Sequence, residues 1–142
     1  MRAAWSQNPR DPMLSLPDLI GDWRLCRDIA HGDGSSARFD GTARWQFQGQ
    51  GAAYLEQGWL VMDKARFAAE RRYYWDDRLR VFFEDGRFFH QVPASGGETE
   101  HWCDPDSYHV RYAFEKWPDW SAIWSVHGPK KNYVMTSHYS PV

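Results

Sequence analysis

From residue 21 to residue 141 apolar and polar residues alternate in short runs broken by turn residues, the pattern of strands with one buried face. The stretch "ARFDGTARWQFQ" is the clearest: Ala37, Phe39, Gly41, Ala43, Trp45 and Phe47 fall on one side, Arg38, Asp40, Thr42, Arg44, Gln46 and Gln48 on the other. "GDWRLCRDI" precedes it and "AAYLEQGWLVM" follows. "LRVFFED" and "RFFHQVP" flank Asp85-Gly86, a hairpin signal. "TEHWC", "SYHVRYAFE", "AIWSVHG" and "NYVMTSHYS" complete the series. "KARFAAERR" has the composition of a helix, yet it runs into "YYWD", and Phe67, Ala69, Tyr73 and Trp75 alternate, which predicts a strand. About ten strands joined by short turns leave no room for crossover helices and predict an all-β, antiparallel, up-and-down barrel. "SLPDLIG" adds one apolar turn, Leu16, Leu19 and Ile20, read as a short N-terminal plug helix on one end. Residues 1–13 read as a flexible arm and residues 14–142 as a single barrel domain.

The alternation places charges where a core should be. Arg27 shares the phase of Trp23, Leu25 and Ile29, and Arg71 that of Phe67, Ala69, Tyr73 and Trp75. Glu56 goes with Tyr54, Gly58 and Leu60, His90 with Phe88 and Val92, and His101 with Cys103. Tyr108, Tyr112 and Tyr133 join the inward set. Unpaired charges in a dry, filled barrel cost several kcal/mol each, whereas charges around a wet or ligand-filled cavity are satisfied. Two readings follow. Arg27 or Arg71 pairs with Glu56 as a structural ion pair, or the two arginines form a fork for a carboxylate or phosphate. In the second, Arg27, Trp45, Glu56, Arg71, Tyr73, Tyr112 and Tyr133 line a ligand site. His90, His101 and Tyr108 form a candidate acid–base set. His101 and Cys103, with Asp104 and Asp106 nearby, lack a clear third partner, so no metal is expected. There is no Gly-rich phosphate loop, no Gly-x-Ser-x-Gly elbow and no haem-ligand motif, and no cofactor is expected.

Composition narrows the class. Aromatic residues make up 17% of the 142 residues, nine of them Trp, so flat rings fill much of the interior. Lys plus Arg number 17 against 19 Asp plus Glu, a formal charge of -2 without the basic excess of a nucleic-acid groove. No apolar run reaches the roughly 18 residues of a membrane span, and "MRAAWSQNPRDPML" has no secretory apolar stretch. A cytoplasmic protein is the expectation. Cys26 falls on an outward phase and Cys103 on an inward one, so free thiols are expected.

Gly21-Asp22-Trp23, just after the plug, resembles the Gly-x-Trp opening of the calycin superfamily, the lipocalin-like barrels. "GDWRL", "FHQV", "HWCDPDSYHVRYAF" and "GPKKNY", in this order, resemble an uncharacterised bacterial family of about this length, a domain of unknown function. The resemblance implies a lipocalin-like barrel and carries no activity. It also implies a cation over the opening Trp, for which Lys130, Lys131 and Arg111 are all candidates. The function expected is small-molecule binding, with a flat or aromatic ligand bearing an acidic group. The alternative is a cofactor-free enzyme, an isomerase, hydrolase or lyase using the same cavity. A protein-binding scaffold, with its excess Trp outside, is a third class.

Overall fold

The computed structural model describes residues 13–142, so the arm expected at residues 1–13 lies almost wholly outside the described residues. A four-residue helix α1 (Leu16–Leu19) leads into ten strands. They are β1 (Gly21–His31), β2 (Ser36–Gln48), β3 (Gly51–Met62), β4 (Ala65–Trp75), β5 (Arg80–Phe83), β6 (Phe88–Gln91), β7 (Gly97–Cys103), β8 (Asp106–Ala113), β9 (Trp120–His127) and β10 (Asn132–Pro141). All pairings are antiparallel, in the order β6-β5-β4-β3-β2-β1-β10-β9-β8-β7. The helix-like composition of "KARFAAERR" yields to β3, which pairs with β4 from Ala52–Trp75 to Met62–Ala65.

The sheet rolls into a nearly closed barrel. Its end strands, β6 and β7, meet through side chains and share no ladder. The His101 ring stands edge-on to Phe88 and Phe89, at 5.6 and 6.0 Å, and Arg87 Nη1 lies 3.8 Å from Cys103 Sγ. Strand β5 pairs only with Tyr73–Trp75 of β4, so the first part of β4 runs past it with one edge unpaired. A step in the wall results.

The plug end holds most of the aromatic core. Trp45, 1% exposed, touches Trp23, Tyr54, Trp75 and Trp120 at centroid distances of 4.5–6.4 Å. The Trp23 indole N–H donates to the Leu19 carbonyl at 2.8 Å, tying the plug to the first strand. Among the described residues no cation covers Trp23; its neighbour is Trp117 at 5.4 Å. Lys131 instead reaches Tyr108, at the opposite end.

Alternation and burial part at Phe47, at Phe67 and in β6; Phe67, on the inward phase of β4, is 52% exposed where β4 runs past β5. Phe47, on the inward phase of β2, is 58% exposed, because it lies beyond the packed core near the strand end. In β6 the phase of Phe88 and His90 breaks: Phe88 is exposed, and Phe89 and His90 are both buried. The β5–β6 register shifts between Val81 and Phe82, a bulge that turns two consecutive side chains inward.

Gly41 and Gly58 face each other across β2 and β3. A Cβ on Gly41 meets the Gln57 carbonyl oxygen, and one on Gly58 meets that of Asp40. Gly41→Ala is therefore expected to cost about 1–3 kcal/mol by overpacking. Urea unfolding checks this against Thr42→Ala, whose exposed side chain makes it a near-neutral control.

Candidate functional site

The inward charges sort into a closed network and a cation that, among the described residues, lacks a carboxylate partner. Arg27, on β1, donates to both Glu56 oxygens, Nη1 to Oε1 at 2.6 Å and Nη2 to Oε2 at 2.8 Å. Its Nε–H donates to Ser137 Oγ at 2.7 Å. The Tyr54 hydroxyl donates to Glu56 Oε2 at 2.6 Å and lies 2.9 Å from the Tyr139 hydroxyl. Arg27 and Glu56 are 5% and 2% exposed. Burial opposes the Glu56 charge, but the guanidinium wins and holds the carboxyl below its ordinary value. The Arg27 fork is thus spent within the protein. It is a structural ion pair, and the expected two-arginine fork for a ligand is corrected: both Arg27 Nη atoms and its Nε are already bonded within the protein, and Glu56 has no free charge.

Arg71 differs. It is only partly buried and, among the described residues, has no carboxylate within 4.0 Å. Burial works against its charge, while Tyr73, Glu56 and Tyr133 favour it. Burial raises the Tyr73 and Tyr133 phenols, and Arg71 pulls against that rise. With Glu56 already neutralised by Arg27, Arg71 leaves the barrel lining one positive charge in excess. It borders a shallow, solvent-open cleft at the β4–β5 step, lined by Arg71, Arg72, Tyr73, Phe83, Glu84 and Asp85. Arg72 and Asp85 are engaged by Glu70 and Arg87.

The remaining interior is almost full. A void of about 20 Å³ lies among Arg27, Glu56, Tyr73, His90, Tyr112 and Trp120, with room for about one water. The expected roomy cavity is corrected: rings from eight strands occupy it. Trp45 is core rather than ligand wall, and Tyr112 is 4% exposed.

The acid–base set is split. His90 Nε2 and the Tyr112 hydroxyl are 2.8 Å apart. Tyr108 accepts from Lys131 Nζ at 3.3 Å, and Lys131 also pairs with Asp106 at 3.2 Å. The Phe89 ring stands among His90, Tyr108 and His101, at 4.3, 5.0 and 6.0 Å, and none of the three bonds another. Burial, with a smaller push from His101, lowers the His90 pKa to about 3, so the ring is neutral near pH 7. Burial lowers that of His101 too. Among the described residues no three His, Cys, Asp or Glu side chains form a metal-binding group. Cys26 is exposed, Cys103 is partly buried, and both thiols are free.

Alternation on the last strand carries a further signal. Ser137 and Tyr139 follow Tyr133 and Met135 on one phase of the last strand, and both belong to the ion-pair network. Tyr54 was on the Glu56 phase and supplies its third hydrogen bond.

No helix among the described residues is long and apolar enough to cross a membrane. No curated protein matches the sequence. The fold is similar to that of the S-type phycobiliprotein lyase CPES from Guillardia theta, with a TM-score of 0.58 and 8% sequence identity over 87% of each chain. At that identity the likeness establishes a shared calycin-like barrel and nothing about chemistry. The model of the family of unknown function DUF6314 matches residues 19–141, and the chain belongs to that family.

Proposed function

We propose that the protein binds a small, flat or partly aromatic molecule bearing one acidic group, seated in the cleft at the β4–β5 step. The carrying observation is Arg71, an inward-phase guanidinium that borders the cleft without a carboxylate partner among the described residues. Tyr73 and Phe83 supply aromatic wall for a ring, and Arg71 fixes the acid. Tyr133, beside Arg71, extends the polar contact. Glu84 on the rim repels a second negative charge, which favours a monoanion over a polyanion. Binding is favoured over acid–base turnover because Phe89 separates His90, His101 and Tyr108. A cytoplasmic setting accords with the two free thiols.

The test uses 1-naphthoate and its uncharged amide as probes, followed by tryptophan fluorescence. Arg71→Met is expected to weaken naphthoate binding about 10-fold or more, the worth of a charge-assisted contact. Amide binding is expected to change little, and Arg71→Lys to recover part of the loss. Equal naphthoate affinity in the native protein and Arg71→Met would overturn the assignment.

A further inference from the structure

We infer that the barrel interior contains a second site, which takes a single neutral oxygen acceptor between Nδ1–H of His90 and Nε1–H of Trp120. Both residues line the void of about 20 Å³, and neither nitrogen has a hydrogen-bond partner among the described residues. They are 1% and 4% exposed, so bulk water does not serve them.

The tautomer follows from Tyr112. Its buried phenol keeps its proton, and among the described residues the acceptor within its reach is His90 Nε2. If Tyr112 donates there, the neutral imidazole carries its own proton on Nδ1, and one group is left over. The reverse orientation strands both the phenol hydrogen and the Nδ1 lone pair. Indole Nε1–H is a donor in any case. Two residues that line one void therefore each carry a buried, unpartnered N–H, and a metal ion, which needs lone pairs, is disfavoured beside them. An anion is disfavoured because the Glu56 carboxylate lies in the same wall and Arg27 is already neutralised by it.

Two sources supply a neutral oxygen. One is a water molecule, for which the void has room. The other is the carbonyl of a ligand passing Tyr73, whose side chain borders both the void and the outer cleft. This second source rests on the cleft reading above; the first does not.

Nitrogen-15 NMR of the whole chain separates these. The His90 ring is expected to show the Nδ1–H tautomer. The Trp120 indole proton, identified as the peak lost in Trp120→Phe, is expected to show a cross-peak to water. With 4-acetylbenzoate added, replacement of that cross-peak by one to the acetyl methyl group marks the ligand source, and an unchanged water cross-peak marks water. An Nε2–H tautomer at His90, or an indole proton in contact with neither water nor probe, would overturn the site. If Trp120→Phe does not fold, the His90 tautomer in the native protein still decides. Failure of 4-acetylbenzoate to bind, with the water cross-peak present, overturns the ligand source and leaves the water site standing, while the cleft reading is decided separately by naphthoate.

Discussion

Glu56→Ala is expected to destabilise the protein by about 3–5 kcal/mol, because it leaves the Arg27 guanidinium buried without its counter-charge. At 5% exposure Arg27 has no route back to water that keeps the barrel packed. Ser137 and the barrel rings remain beside it, but a hydroxyl takes up only the Nε donor, and two guanidinium nitrogens are left unbonded. Tyr54 loses one of its two hydroxyl partners in the same change and keeps Tyr139. Replacing both charges, as Arg27→Met with Glu56→Leu, is expected to recover most of the loss, since the cost arises from an uncompensated charge and not from the absence of the pair. Urea unfolding of the two variants measures the difference. A loss of less than about 1 kcal/mol in Glu56→Ala would mean that water reaches the guanidinium.

Acidification below about pH 6.5 is expected to unfold the protein progressively through His90. In the unfolded chain this side chain takes up a proton at about pH 6.5; in the barrel burial and the neighbouring His101 delay uptake until about pH 3. Between those limits the unfolded chain binds a proton that the folded one refuses, so stability rises with pH in this window and falls as acid is added. The slope is about 1.4 kcal/mol per pH unit, and the full loss approaches 4–5 kcal/mol by order of magnitude. Glu56 acts later: its lowered pKa preserves a contribution that disappears only below the ordinary carboxylate range. Urea midpoints at about pH 7.5, 6, 5 and 4 give the profile. In His90→Phe the slope above about pH 4.5 should flatten to the smaller share due to His101. An unchanged slope in that variant would assign the acid sensitivity elsewhere.

Period-2 alternation made the architecture legible and gave the direction of most side chains. It put Arg27, Glu56, Arg71 and Tyr73 on inward phases, where the barrel has them. It failed at Phe88–His90, because a bulge inserts a residue and alternation has no memory of register beyond it. Depth was the larger gap. A phase says which face a side chain joins, not how much space the opposing rings leave, so the filling of the interior by Trp45, Phe89, Tyr112 and Trp120 could not be read from spacing. Pairing was equally hidden. Arg27 and Arg71 look alike along the chain, yet only Arg27 lies where Glu56 can meet both guanidinium nitrogens. The cleft depends on β5 being seven residues shorter than β4, a length set by the turn at Asp85-Gly86 rather than by any inward residue.

The pairing of β1 with β10 joins opposite ends of the chain at the middle of the sheet, while the unbonded seam falls at mid-sequence. Everything else is neighbour on neighbour: two meanders, β1 to β6 and β7 to β10, each of which zips through local hairpins. Folding is then expected to proceed as a docking of two ribbons, slowed by the search that brings Trp23–His31 against Tyr133–Pro141. Until it succeeds, each ribbon carries an exposed outer edge, and crowded conditions during that interval favour edge-to-edge association between chains.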